Sequence, residues 1–340
     1  PVRGTVMVAG AGLAGATLAR ACAERGLAVR VRDPRGPAAA ASGNRHAVLH
    51  ARLPLDDGPR AALLLAARAF TRAWLEREPW RAAFTARPVR QFPEPRRPQR
   101  LAKVAARFGA LDGRLAWEGD GDPPCLAFPD GGHADLPALV AALLDHPAIS
   151  LETAALPVVH RAAPIPEPLI LAAGSASAAL IEPPLPIGRM RGQLTRVRGG
   201  PRRTEAVLTG RGHAVPLADG WSVGSSYLRL GPEPAAEDEV PTAGERAANL
   251  TRLAAWGTLL GAADAPVEAI EDWAAVRATT PDRAPLVGAL GPNLWVSTGH
   301  ASSGLLTCPL AAEAIAASLA GEAPVLDREI AALLAPTRFG

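Results

Sequence analysis

The stretch that most constrains this chain is its beginning, where the apolar run Thr5-Val6-Met7-Val8-Ala9 meets the pattern Gly10-x-Gly12-x-x-Gly15. A short apolar run bounded by glycine predicts a buried parallel strand. The Ala- and Leu-rich residues that follow predict a helix running to Arg25 and stopped by Gly26. In a strand–turn–helix unit Gly10 permits the tight turn, Gly12 lets the backbone approach a pyrophosphate, and Gly15 lets the helix pack on the strand. The helix N-terminus, at Leu13, then aims its unpaired N–H groups at the anion. Leu27, Val29 and Val31 alternate as a second strand ending at Asp33, a carboxylate placed to bind ribose hydroxyls. The pattern predicts a dinucleotide site. The glycine motif alone does not say which dinucleotide, so a nicotinamide-dependent dehydrogenase stays open at this point.

With 340 residues, nearly half of them apolar, the chain has enough material for two domains with sizeable cores. Cys22, Cys125 and Cys308 are odd in number and widely spaced, which speaks against a disulfide framework or a zinc site, so no metal is expected. No run of about 18 apolar residues is seen, and no membrane association is expected. The first strand starts so early that no signal peptide is expected within these residues, although the chain begins at Pro1 without Met. The expected compartment is the cytoplasm. Net charge is only +3, with Lys103 the sole lysine among many arginines. Arginines crowd residues 81–107, with only Glu94 opposing them there. Arg100, Lys103 and Arg107 recur at helical spacing opposite Leu101, Val104 and Phe108, which predicts one basic helix face: a solvated surface or a phosphate-binding patch.

Further along, Ala41-Ser42-Gly43-Asn44 suits a helix N-terminus or a nest of N–H groups. Residues 59–80 carry helical periodicity, Cys125 to Phe128 reads as a strand, and Asp135 caps a helix through Leu144. Ile149 to Thr153 and Leu169 to Ala173 read as strands, the latter ending at Gly174. After Pro183, Pro184 and Pro186, the runs 189–198, 206–208, 212–217 and 221–228 resemble an antiparallel sheet. Thr242-x-x-Glu245 is a capping box for a helix to about Leu260. Trp273 to Thr279 and Leu294 to Ser297 return as strands, and Pro309 is expected to open a helix ended by Gly321. The expected architecture is α/β, α+β overall: a Rossmann-like nucleotide domain (1–80, 130–182 and 278–340) interleaved with an antiparallel-sheet substrate domain (81–129 and 183–277).

Taken together, the glycine motif, Ala41–Arg45, Arg191-Gly192-Gln193, Gly224–Tyr227, Arg277–Gly288, Gly299–Leu305 and the tail from Leu326 to Phe339 carry a family resemblance. The chain resembles the D-amino-acid-oxidase-like FAD-dependent oxidoreductases. Within them it is most similar to the oxidase half of the bifunctional tRNA 5-methylaminomethyl-2-thiouridine biosynthesis enzymes. The resemblance implies noncovalent FAD, with the pyrophosphate on the first helix and the ribose at Asp33. Ser42, Gly43, Asn44 and Gly174 would lie along the cofactor, and Gly299, Ser302, Ser303, Gly304 and Leu305 beside the isoalloxazine.

The resemblance also implies that Arg277 holds a substrate carboxylate, with Tyr227 and His300 in the same cavity. A guanidinium fork suits that task because it binds both oxygens at a fixed orientation. The implied substrate is a wobble uridine bearing a carboxymethylaminomethyl group. Its glycine unit would leave as glyoxylate, and the tRNA would meet the basic face at Arg100, Lys103 and Arg107. The alternative is a glycine-, sarcosine- or D-amino-acid-type oxidase. The family's methyltransferase half is absent from this chain, which makes a methyltransferase a candidate partner. Four positions depart from the family pattern: His46 for Gln, His50 for Tyr, His133 for Trp and Ser303 for Arg.

Overall fold

Val6 and Val8 are fully buried in a strand, Thr5–Ala9, which lies inside a six-stranded sheet. The computed structural model describes residues 4–94, 96–112, 114–121, 123–201, 204–261 and 266–339, so Pro1 lies outside them. Across this sheet the strands run Leu286–Gly291, Leu294–Thr298, Leu169–Leu171, Thr5–Ala9, Ala28–Arg32 and Ile149–Glu152. All neighbours are parallel except the first pair, a hairpin. The chain leaves Thr5–Ala9 to one side for Ala28–Arg32 and returns on the other as Leu169–Leu171. That reversal opens a crevice at the strand's carboxyl end, where parallel α/β sheets take ligands.

Helix α1 (Leu13–Ala23) follows the glycine turn. A Cβ on Gly15 would stand 1.9 Å from the Gly10 carbonyl oxygen, so only glycine allows this helix so close to its turn. Helices α2 (Pro59–Trp74), α3 (Arg100–Asp112), α4 (Leu136–Leu144), α5 (Ala243–Leu259), α6 (Gly304–Ala320) and α7 (Arg328–Leu334) complete the helical set among the described residues. Asp135 caps α4 by accepting the Ala138 N–H at 3.0 Å, as its sequence predicts.

Pro309 does not open a helix. It sits inside α6, which starts five residues earlier, so the Leu305 carbonyl has no N–H to receive at that turn. The segment Ala301–Ala320 is long and apolar enough to cross a membrane by length and composition, which the sequence reading overlooked. Two thirds of its apolar window is buried inside this fold, against α1 and α2. Its one acid, Glu313, pairs with Arg25 at 2.8 Å. A helix apolar on every side is what a core position between layers demands.

The second large sheet has nine strands and includes Val89–Gln91, Cys125–Phe128 and Ala116–Glu118 beside the strands of the 188–279 region. It is mixed, since Val207–Gly210 runs parallel to Val89–Gln91. The longest pairing joins Gly188–Gly199 to Val267–Thr279, with Met190 opposite Arg277. The expected strand 221–228 is broken: it ends at Gly224, and Leu228–Arg229 resumes against Met190 and Arg191. The three residues between leave the ladder and pass beneath Arg277. Ala47–Leu49, Gly132–Ala134 and Phe84–Ala86 form a small third sheet.

Candidate active site

A cavity of about 750 Å³ runs from the glycine turn to Arg277. At its first end Gly12, Leu13, Asp33, Ser42, Asn44 and Gly174 line the wall. Leu13 donates its N–H to the Ser42 hydroxyl at 2.9 Å, so that oxygen keeps a hydrogen to offer an anion. Asp33 accepts the N–H groups of Ala11 and Arg35, both at 2.9 Å, which holds the carboxylate at the crevice mouth. Gly10, Gly15 and Gly43 do not line the cavity. Gly10, at φ +115°, makes the turn, and Gly43 lies under Trp273, whose Nε1 a Cβ would meet at 3.0 Å.

Midway, Gly299, His300, Ser302, Ser303, Gly304 and Leu305 line the wall where α6 begins. A second helix N-terminus thus faces the same space, and its partial positive charge favours an anion there. His300 is buried with both ring nitrogens engaged, Nδ1 with the Thr307 hydroxyl at 2.8 Å and Nε2 with the Ser297 hydroxyl at 3.1 Å. Thr307 gives its own hydrogen to the Ser303 carbonyl, so Nδ1 carries the proton and Nε2 accepts. Burial pushes the His300 pKa down to about 4. A neutral imidazole hydrogen-bonded on both sides is a poor proton carrier, and His300 lines the cavity as expected. Cys308 also lines the wall, and burial raises its thiol pKa far above the ordinary value.

At the far end Arg277 donates to the Ser225 hydroxyl at 3.2 Å and to the main-chain oxygens of Ser226 and Arg191 at 2.9 and 3.3 Å. Its guanidinium lies 4.6 Å from the centre of the Tyr227 ring, a cation–π contact at the cavity's edge. Among the described residues no carboxylate lies within ion-pair distance, and Nε is shielded without a hydrogen-bond partner. Burial lowers the Arg277 pKa and Tyr227 opposes that shift, but a guanidinium stays charged at any ordinary pH. Gly192 makes room for it: a Cβ there would stand 1.9 Å from Nη2.

His213 was not singled out in the sequence. It lines the same cavity, and its shielded Nε2 has no hydrogen-bond partner among the described residues. Burial first, then the Arg277 charge and His46, His50 and Arg252, pushes its pKa down to about 4. Its only signal was a polar residue within a strand between Gly212 and an apolar run. His50 also lines the cavity, with Nε2 3.1 Å from Gln91 Oε1. Of the other departures from the family pattern, Ser303 lines this cavity, His46 lines a smaller one of about 310 Å³, and His133 lines neither. The basic face is partly spent. Arg100 donates to the Leu53 carbonyl and Arg107 pairs with Asp57 at 2.6 Å, leaving Lys103 exposed. Asp57 and Glu118 therefore pair with Arg107 and Arg90 of this region, while Glu94 pairs with Arg52, outside it.

The donor set fits a large dinucleotide. A glycine whose Cβ would crowd Ser42, a carboxylate and two helix N-termini share one cavity of about 750 Å³. Residues 5–318 match the family described as FAD dependent oxidoreductase, and the chain belongs to that family. It is an FAD-dependent oxidoreductase.

Its sequence is 32% identical to the tRNA 5-methylaminomethyl-2-thiouridine biosynthesis bifunctional protein MnmC of Pseudomonas entomophila, covering 98% of this chain and 59% of that protein. The Pseudomonas aeruginosa PAO1 counterpart is 32% identical, covering 99% and 60%. The chain thus spans about three fifths of the length of these relatives. In structure it is similar to glycine oxidase from Geobacillus kaustophilus, with a TM-score of 0.80, 19% identity and 98% of each chain covered. It is also similar to iminodiacetate oxidase from Chelativorans sp. BNC1, with a TM-score of 0.76, 19% identity, and 95% and 97% covered.

Proposed function

We propose that this enzyme oxidises a secondary amine bearing a carboxylate, and that its substrate is the carboxymethylaminomethyl group of a tRNA wobble uridine. The observation that carries this is Arg277, a cation lining the cavity with no carboxylate within ion-pair distance among the described residues. Leaving such a charge unmatched is costly, and a substrate carboxylate would relieve it. When bound, FAD would supply the acceptor for a hydride from the carbon next to the amine. Arg277 grips the carboxylate of the N–CH₂–COO⁻ unit and presents that carbon, so this chain's contribution is largely positioning. Two electrons leave with the hydride and the amine loses a proton. Water then splits the resulting imine into glyoxylate and the aminomethyl uridine. Gly12, Leu13, Asp33, Ser42, Asn44 and Gly174 would hold the pyrophosphate, ribose and ribityl chain, and Gly299 to Leu305 the ring. Tyr227 would cover the guanidinium. The high thiol pKa of Cys308 and the saturated ring of His300 favour a noncovalent cofactor.

In this reading residues 1–80, 130–182 and 278–340 form the cofactor domain, and residues 81–129 and 183–277 the substrate domain. Lys103 and its arginine neighbours would meet the tRNA backbone in the cytoplasm, and a methyltransferase would act on the freed amine. The test offers the purified protein tRNA carrying the modification, beside free glycine and sarcosine, and measures glyoxylate. Release from tRNA that falls steeply as salt rises is expected. Rapid turnover of glycine or sarcosine with no release from tRNA would overturn it. That second outcome describes a small-molecule amine oxidase, a reading favoured by the internal pairing of Arg100 and Arg107.

A further inference from the structure

Arg277 is aimed by two main-chain carbonyls, those of Arg191 and Ser226, and both accept from its Nη2. The side chains of the same two residues converge on one carboxylate. Arg191 donates from Nε and Nη2 to Oε2 of Glu245 at 2.9 and 2.7 Å, and the Ser226 hydroxyl donates to Oε1. Ser226 Oγ also accepts the Gln193 N–H at 3.0 Å, closing a ring around Gly192. Glu245 is available for this because half of its expected capping box is missing. The Thr242 hydroxyl still accepts the Glu245 N–H, but the Thr242 N–H goes to Gln193 Oε1 at 2.8 Å and not to Glu245. Arg191 is only 3% exposed, within its strand, and also donates to the carbonyls of Asp238 and Val240, while Glu245 reaches it from the first turn of α5, where its side chain stays partly exposed.

We propose that Glu245, which does not itself line the cavity, is the positioning residue for Arg277: by gripping Arg191 and Ser226 it fixes the two carbonyls that aim the guanidinium. This rests on the reading of Arg277 as the carboxylate-binding group. Burial works to raise the Glu245 pKa, but hydrogen bonds from Arg191, Ser226 and Thr242 outweigh it, so the carboxylate stays charged at neutral pH.

The test uses the FAD-loaded enzyme and acetate, a carboxylate without an amine, with binding read from the flavin absorbance change. R277A is expected to weaken acetate by about 50-fold or more and E245Q by about 10-fold, and the double variant should bind no worse than R277A alone, because coupled residues are not additive. With an amine substrate E245Q should raise KM while kcat stays within about twofold, the split expected of a ground-state grip. Should E245Q fail to fold, S226A removes the hydroxyl link and keeps the Arg191–Glu245 pair. It is expected to weaken acetate by about 3-fold with the same non-additivity. Acetate affinity unchanged in E245Q, or in S226A where E245Q does not fold, overturns the proposal, as does an effect that adds fully to that of R277A. Wild-type acetate binding by R277A overturns the carboxylate reading itself, and the proposal falls with it.

Discussion

The Arg277 guanidinium fork shares the cavity wall with other arginines, Arg211 and Arg252 among them, and its own neighbours are arranged around its size. Gly192→Ala puts a methyl group where Nη2 lies and close to the Ser226 carbonyl, so the fork must move. Carboxylate ligands should weaken by about tenfold or more, about 1.4 kcal/mol, in a titration of the FAD-loaded protein. Arg277→Ala should cost several kcal/mol in kcat/KM for carboxylate-bearing amines, on the scale of a lost charge-assisted pair. The histidines make a different prediction. His50, His133, His213 and His300 all have pKa values pushed down to about 4 by burial, against 6.5 when unfolded. A depressed histidine contributes stability that is present above pH 6.5 and lost as pH falls toward 4, because the unfolded chain then binds protons the folded one refuses. The thermal midpoint should therefore drop steeply between about pH 6.5 and 4, and a flat profile across that window would refute it.

At the scale of elements, caps and glycine contacts carry the local information. Asp135→Ala removes the acceptor for the Ala138 N–H and should cost about 1 kcal/mol in denaturant unfolding. Helix α4 was legible to the residue because its cap, its proline and its apolar face all agree. Helix α6 was not, since its start depends on residues 299–303 turning under the cavity, and tertiary packing there tolerates Pro309 inside the helix. The box at Thr242 was half legible: spacing identified the cap, but not that Gln193, on a distant strand, would claim the Thr242 N–H. Helix α3 buries Leu101, Val104 and Phe108 as its period requires, while the fate of its arginines was set by Leu53 and Asp57, which no local pattern names.

For the whole molecule, the cavity joins the chain's beginning to its end, since Gly12 and Asp33 line it together with Gly299 to Leu305. A ligand that bridges them binds only the folded chain. Stripping FAD should therefore lower the thermal midpoint, and restoring it to about 100 times its Kd should return about 2.7 kcal/mol. A midpoint indifferent to added FAD would mean that the cofactor does not span the two segments. The amino-acid order by itself determined the dinucleotide turn, most strands, the α4 cap and the family pattern, because these depend on spacing within one element and on glycine's missing side chain. Only the tertiary structure decided that His213 lines the cavity, that both His300 nitrogens are hydrogen-bonded, that Glu245 binds Arg191 and Ser226 as well as the Thr242 hydroxyl, and that no carboxylate among the described residues lies within ion-pair distance of Arg277. Those facts depend on which residues far apart in the chain become neighbours, and hydrogen-bond partners and desolvation are properties of neighbours.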